Sequence, residues 1–224
     1  MRIAVLGTGV VGQTLGRKLV DLGHEVTMGS RQAGNEKAVA WVVSAGGTAV
    51  GGTAAEGSFA DAASTADMVV NATSGVGSLE ALDAAGAGNL AGKVLIDVSN
   101  PLDFSRGMPP SLSVCNTDSL AEQIQRRFPE ARVVKSLNTV NADVMVDPGI
   151  VPGSHTMFMA GDDAAAKVDV RGILESFGWP PEDILDLGDL AAARGLEMYL
   201  PLWLRLWGAT GTGHLNVKVQ QASP

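Results

Sequence analysis

The stretch Gly7-Thr8-Gly9-Val10-Val11-Gly12 limits what this chain can fold into more than any other. It follows directly on the β-branched run RIAVL. It opens VGQTLGRKLVDLG, a segment of helical apolar spacing that Gly23 is placed to end. A glycine-rich turn between strand and helix leaves free backbone N–H groups at the helix start, where the helix dipole favours an anion. Each glycine has a separate task. Gly7 permits the tight turn, Gly9 lets a pyrophosphate approach the backbone, and Gly12 lets the helix pack close on the strand. The turn therefore predicts Gly7, Thr8, Gly9, Val10, Val11 and Gly12 as a phosphate cradle in an α/β fold.

The rest of the chain repeats that alternation. EVTMGS, DMVVNAT, KVLIDVSNP, ARVVKSLN, HTMFMAG and DILDLG read as strands, and TAVGG as a further short one. Between them NEKAVAWVVSAGG, FADAASTA, GSLEALDAAGAG and DSLAEQIQRRF read as helices, the last with Asp118 or Thr117 as N-cap. DDAAAKVDVRGILESFG is a helix capped by Asp162 or Asp163, and LAAARGLEMYLPLWLRLWG a long apolar helix. Near-continuous apolar strands alternating with helices imply a parallel sheet covered on both faces. The expectation is a doubly wound Rossmann-type sheet with a C-terminal α/β extension that ends in the apolar helix. Residues 1–140 form the dinucleotide-binding core. Residues 141–224 complete the sheet and the acceptor cleft within one compact domain.

Charge narrows the partners. A net charge of -8 argues against a nucleic-acid surface or an anionic membrane, both of which need basic patches. The most apolar late segment carries Arg194, Glu197, Pro201 and Arg205, too much polarity for a spanning helix, and the N-terminus is unlike a signal peptide. The expected setting is the cytoplasm, and the expected partner a small molecule. Cys115, the single cysteine, reads as a small apolar filler. His24, His155 and His214 lack metal-ligand spacing, so no metal site is expected. Arg194 and Glu197, spaced i,i+3, are expected to pair on their helix, and Lys135, inside an apolar strand, needs a partner and reads as structural.

The residues after the second strand bear on which dinucleotide fits. An acid there would accept hydrogen bonds from the ribose 2′-hydroxyl of NAD and repel the 2′-phosphate of NADP. The chain instead has Ser30 and Arg31, a hydroxyl and a guanidinium fork suited to a dianion, with Lys37 one to two turns on as added charge. That pattern favours NADP(H). The ends of later strands, NATSG, SNPL and LNTVN, combine small polar residues with Pro or Gly, chemistry that suits hydrogen bonds to ribose and nicotinamide. No general acid–base pair stands out. Hydride transfer between stacked rings needs positioning and a few hydrogen bonds rather than a proton relay.

The chain resembles the NADPH-dependent reductases of the deazaflavin coenzyme F420, and the related cytosolic domain of the six-transmembrane metalloreductases. The resemblance rests on GTGVVGQTLGRKLVDLGHEVTMGSR, LIDVSNPL, LAEQIQRRFPEARVVKSLNTVNA, the GDD at Gly161–Asp163 and LDLGDLAAARGLEMYLPLWLRL. It implies that the turn glycines and Thr8 cradle the pyrophosphate and that Ser30 and Arg31 hold the 2′-phosphate. It also implies that Thr73, Ser74, Asn100, Pro101 and Asn138 face the nicotinamide. F420 or a flavin would be the acceptor. Two alternatives stay open at this level: a reductase of another small acceptor (quinone, imine or metal chelate), and a non-catalytic NADP(H) redox sensor. Trp203 and Trp207, at i and i+4 in the apolar helix, read as core or as the seam of a homodimer.

Overall fold

The computed structural model describes residues 1–46 and 51–222. Among the described residues the strands are β1 (Arg2–Leu6), β2 (Glu25–Ser30), β3 (Thr53–Ser58), β4 (Met68–Asn71), β5 (Val94–Asp97), β6 (Leu102–Asp103), β7 (Ser111–Leu112), β8 (Arg132–Ser136), β9 (Met157–Gly161) and β10 (Ile184–Asp186). The longer helices are α1 (Val10–Asp21), α2 (Glu36–Gly46), α3 (Phe59–Thr65), α4 (Ser78–Ala85), α5 (Ala87–Leu90) and α6 (Leu120–Arg127). They continue with α7 (Ala142–Val146), α8 (Ala164–Ser176), α9 (Ala193–Met198) and α10 (Leu200–Thr210). Eight strands form one sheet in the order β10-β9-β8-β5-β4-β1-β2-β3, and β6 and β7 make a separate short hairpin.

Strand pleat explains the two cores. Ile3 and Val5 of β1 face one side with Leu15 and Leu19 of α1, Trp41 of α2 and Ile173 of α8. Ala4 and Leu6 face the other side with Leu82 of α4 and Ile124 of α6. Because successive residues point to opposite faces and both faces are covered, every position of β4 and β5 is buried. This is why those strands read as unbroken apolar runs.

The structure departs from the sequence expectations in several places. The sheet is mostly parallel, but β8 and β9 pair antiparallel, Ser136 opposite Met159. Their connection carries only the short α7 and a 3-10 turn at Pro148–Ile150, too little helix to cover a parallel crossover. Residues 48–50 of the TAVGG stretch lie outside the described residues, and the edge strand there is β3, whose TAAEGS lacks the usual β-branched signal. It forms because β2 templates it along its whole length, from Glu25–Thr53 to Ser30–Ser58.

Gly86, at φ +93°, divides the expected helix over 77–88 into α4 and α5. Ser119, not Asp118 or Thr117, caps α6, its Oγ accepting from the Glu122 N–H at 3.1 Å. Asp118 instead takes Arg126 at 2.8 Å. Of the two candidates for α8, Asp163 is the cap. The long apolar helix is interrupted at Tyr199. Pro201, with no N–H to donate backwards, sits in the first turn of α10. Cys115 is exposed rather than a core filler.

Candidate functional site

The β1–α1 turn is built as its glycines require. Gly7 stands at φ +121°, and a Cβ there would lie 2.5 Å from the Ala72 carbonyl oxygen. A Cβ on Gly12 would lie 2.1 Å from the Gly7 oxygen, so helix and turn touch backbone to backbone. Gly9 differs, since a Cβ there would meet nothing within 4 Å. Gly9 is also the N-cap of α1, with no side-chain cap and no acid in the first turn. The helix start thus offers unclaimed N–H groups beside open space, which is what an anionic ligand needs.

A cleft of about 670 Å³ opens there. Its walls are Gly7, Thr8 and Gly9, the loop from Ser30 to Asn35, and Phe59, Ala72, Thr73, Ser74, Gly77 and Glu80. It sits where β1 and β4 lie side by side in the sheet and the chain turns to opposite sides, the switch point at which open α/β sheets bind ligands. Ser30 is buried at the end of β2, and its hydroxyl donates to the Gln32 carbonyl, which tightens the loop. The Gly34 N–H donates to Glu56 at 2.9 Å and pins the far end. Arg31, between these anchors, is exposed in the cleft wall and has no ion-pair partner among the described residues. Lys37 is exposed and lies outside the lining.

A smaller hollow of about 190 Å³ adjoins the cleft and shares Ala72, Thr73 and Ser74 with it. Val11, Ser99, Asn100, Leu102 and Phe104 complete its wall. Val10 projects into solvent at the helix start. Pro101 and Asn138 lie behind the surface. The Pro101 carbonyl accepts from the Ser113 N–H at 2.8 Å, and Asn138 donates to Asn100 at 2.9 Å and to the Leu196 carbonyl at 3.1 Å. Of the strand-end residues, therefore, Thr73, Ser74 and Asn100 come to the surface of the site, and Asn138 supports Asn100 from beneath.

Beneath the hollow is an ionic cluster that sequence reasoning did not assemble. Lys135 is fully buried and directs its ammonium at Asp97 Oδ2 (2.8 Å), Glu197 Oε1 (2.9 Å) and the Ser99 carbonyl. Burial pulls the Lys135 pKa down, but the two carboxylates outweigh it and hold the value above the ordinary lysine range. Burial is also the largest influence on Glu197 and pushes it up, against the pull of Lys135 and of the Leu120 N–H. Glu197 additionally accepts from the Leu120 and Ala121 N–H groups at 2.8 and 3.1 Å, where the α6 dipole favours an anion. The expected Arg194–Glu197 pair does not form. Arg194 instead reaches Glu122 at 2.6 Å. Helical spacing made the pair look natural, but Glu197 faces the core and Arg194 the surface. One signal did exist: Asp97 and Lys135 are opposite charges that end two apolar runs, and the sheet places them in register.

The fold is of the Rossmann class, with an open cleft at the switch point of its sheet. Residues 2–101 match the family described as NADP oxidoreductase, coenzyme F420-dependent. A crystallised protein of Arthrobacter sp. FB24, provisionally assigned as an F420-dependent NADP-reductase, is 53% identical with a TM-score of 0.92, over 99% of this chain and 100% of that one. The chain belongs to this family of F420-dependent NADP oxidoreductases and is an NADP-dependent enzyme. Metalloreductase STEAP3 of Rattus norvegicus is 30% identical over 209 residues, which cover 90% of this chain and 38% of the rat protein. The chain thus spans well under half the length of that relative. A reductive aminase of Aspergillus terreus in complex with NADPH and ethyl levulinate shares the fold, with a TM-score of 0.64 at 19% identity over 94% of this chain and 62% of that one. Among the described residues, no helix is long and apolar enough to cross a membrane, and no cluster of His, Cys, Asp or Glu is arranged to hold a metal ion.

Proposed function

We propose that the protein exchanges hydride between NADP(H) and the deazaflavin coenzyme F420. The observation that carries the cofactor half is the unpaired Arg31 at the end of β2, where an NAD enzyme would place an acid. The residues fit the dinucleotide. The uncapped start of α1, with the open space at Gly9, would hold its pyrophosphate, and Arg31 its 2′-phosphate. NADPH, when bound, supplies the hydride. The chain's own part is orientation: Thr73, Ser99 and Asn100 would position the group entering the hollow, and Leu102 and Phe104 would shield it from water. Family membership and the Arthrobacter relative support F420 as the acceptor. The exposed Leu202 and Trp207 of α10 support a homodimer seam, and the proposed setting is the cytoplasm.

The acceptor is tested by mixing the protein anaerobically with NADPH and oxidised F420 and following the loss of deazaflavin absorbance, with FMN, FAD and NADH as parallel controls. Bleaching confined to NADPH and F420 supports the proposal. No bleaching in the presence of bound NADPH refutes the deazaflavin assignment and leaves the cofactor assignment standing. The cofactor half is tested by Arg31→Ala, alone and with Ser30→Ala. Loss of charge-assisted hydrogen bonds should raise the NADPH Kd roughly tenfold or more. NADH binding should stay within about twofold, since it lacks the 2′-phosphate. Equal weakening of both cofactors would remove Arg31 from that role.

A further inference from the structure

The hollow's hydrogen-bonding polarity follows from proton counting that begins at Lys135. Its three acceptors, Asp97, Glu197 and the Ser99 carbonyl, account for its three ammonium protons. Asp97 accepts at both oxygens, from the Lys135 ammonium at Oδ2 (2.8 Å) and from the Ser99 N–H at Oδ1 (3.2 Å). Its Oδ1 lies 2.9 Å from Asn71 Nδ2, so the amide nitrogen of Asn71 must face Asp97 and its oxygen must face the other way. That oxygen meets Thr73 Oγ1 at 2.6 Å and can only accept, so Thr73 donates its one hydroxyl proton inward; Ser78 Oγ, 2.9 Å from Thr73 Oγ1, then gives its proton to Thr73 or to the Ser74 carbonyl, and at least one Thr73 lone pair stays open. The same carboxylate takes the Ser99 hydroxyl proton at 2.6 Å. Asn100 has its amide nitrogen on the Asn138 carbonyl at 3.0 Å and its oxygen on Asn138 Nδ2 at 2.9 Å.

We infer that the buried Lys135–Asp97–Asn71 chain makes the hollow a receptor for a hydrogen-bond donor. Thr73 presents it with an oxygen lone pair and no proton, while Ser99, buried behind it, spends its proton on Asp97. The ligand group selected there is an N–H or O–H of the dinucleotide, either the carboxamide of its nicotinamide or a ribose hydroxyl. This rests on the NADP(H)-binding assignment above and adds to it the direction of the bond. Thr73 would touch the ligand. Asn71, Asp97 and Lys135 are positioning residues that act through it. A ligand group that can only accept would meet lone pair against lone pair and be refused.

The test uses dinucleotide binding by calorimetry or fluorescence titration, so it does not depend on which acceptor the enzyme reduces. The probes are NADP+ and its 3-acetylpyridine analogue, in which a methyl ketone replaces the carboxamide and its N–H donors. Thr73→Val keeps the shape and removes the oxygen, and it should weaken NADP+ about fivefold, the worth of one neutral hydrogen bond. Thr73→Ser should restore it. If the wild type already binds the analogue more weakly and Thr73→Val adds no further loss for it, the donor is the carboxamide. If Thr73→Val weakens both probes alike, the donor is a ribose hydroxyl. Asn71→Leu removes the acceptor that fixes the Thr73 proton, so the hydroxyl can donate to Ser78 or to the ligand. With the carboxamide as donor, it should pull the ratio of the two Kd values towards one, a change that general loosening of the fold would not produce. Unchanged NADP+ binding in Thr73→Val overturns the inference. A wild type that binds neither probe overturns the cofactor assignment instead.

Discussion

Replacing Lys135 with methionine tests the account of the buried cluster. The substitution keeps most of the side-chain volume and deletes the cation between Asp97 and Glu197, whose side chains are 0% and 1% exposed. The N–H groups of Leu120 and Ala121 still reach Glu197, but Asp97 is left with neutral partners. Removing one member of a buried ion pair costs about 3–5 kcal/mol, because the remaining charge stays desolvated. In a chain of this size each kcal/mol is worth roughly 2–4 °C, so Tm should fall by roughly 6–20 °C. The pH dependence gives a sharper sign. Burial already raises the Glu197 carboxyl, and without the opposing cation it rises further above its unfolded value. A carboxyl raised in the folded state costs stability as pH climbs from the unfolded towards the folded pKa, and the cost disappears below both. Urea unfolding of wild type and variant at pH 5 and pH 8 reads this directly. The deficit should be smaller at pH 5 with an unchanged denaturant slope. A deficit under about 1 kcal/mol, or one equal at both pH values, would refute the claim that Lys135 neutralises buried charge.

Two further perturbations separate structure from binding at the glycine turn. Gly12→Ala forces a Cβ to 2.1 Å from backbone and should cost several °C of Tm or prevent folding, which thermal unfolding measures. Gly9→Ala meets open space at an ordinary φ of -77°, so Tm should hold while the added methyl blocks the cradle and raises the NADPH Kd about tenfold or more; normal binding would remove Gly9 from the site. On α10, Trp207→Ser replaces an exposed ring and should shift a homodimer to monomer in sedimentation. An unchanged mass would place the seam elsewhere.

Elements whose signal is local were legible in the sequence. The β1–α1 turn, the apolar strands and the approximate ends of α1 and α8 depend on backbone conformation and period, which neighbouring residues encode. So does the position of Arg31, which follows β2 by one residue. What failed to show depends on which distant segments meet. β3 is a strand because β2 pairs with it, not because TAAEGS prefers extension. Arg194 and Glu197 looked like partners by helical spacing, and the fold turned one to Glu122 and the other to Lys135. The hollow drew Thr73 and Ser99 from strand ends that only sheet order makes adjacent, and burial decided the direction of their protons. By itself, the sequence determined the fold class and the glycine turn that opens α1, because strand period, glycine spacing and helix capping are properties of neighbouring residues. Tertiary structure alone decided the ion cluster and the polarity of the hollow, because desolvation and hydrogen-bond direction exist only once residues remote in sequence are packed together out of water.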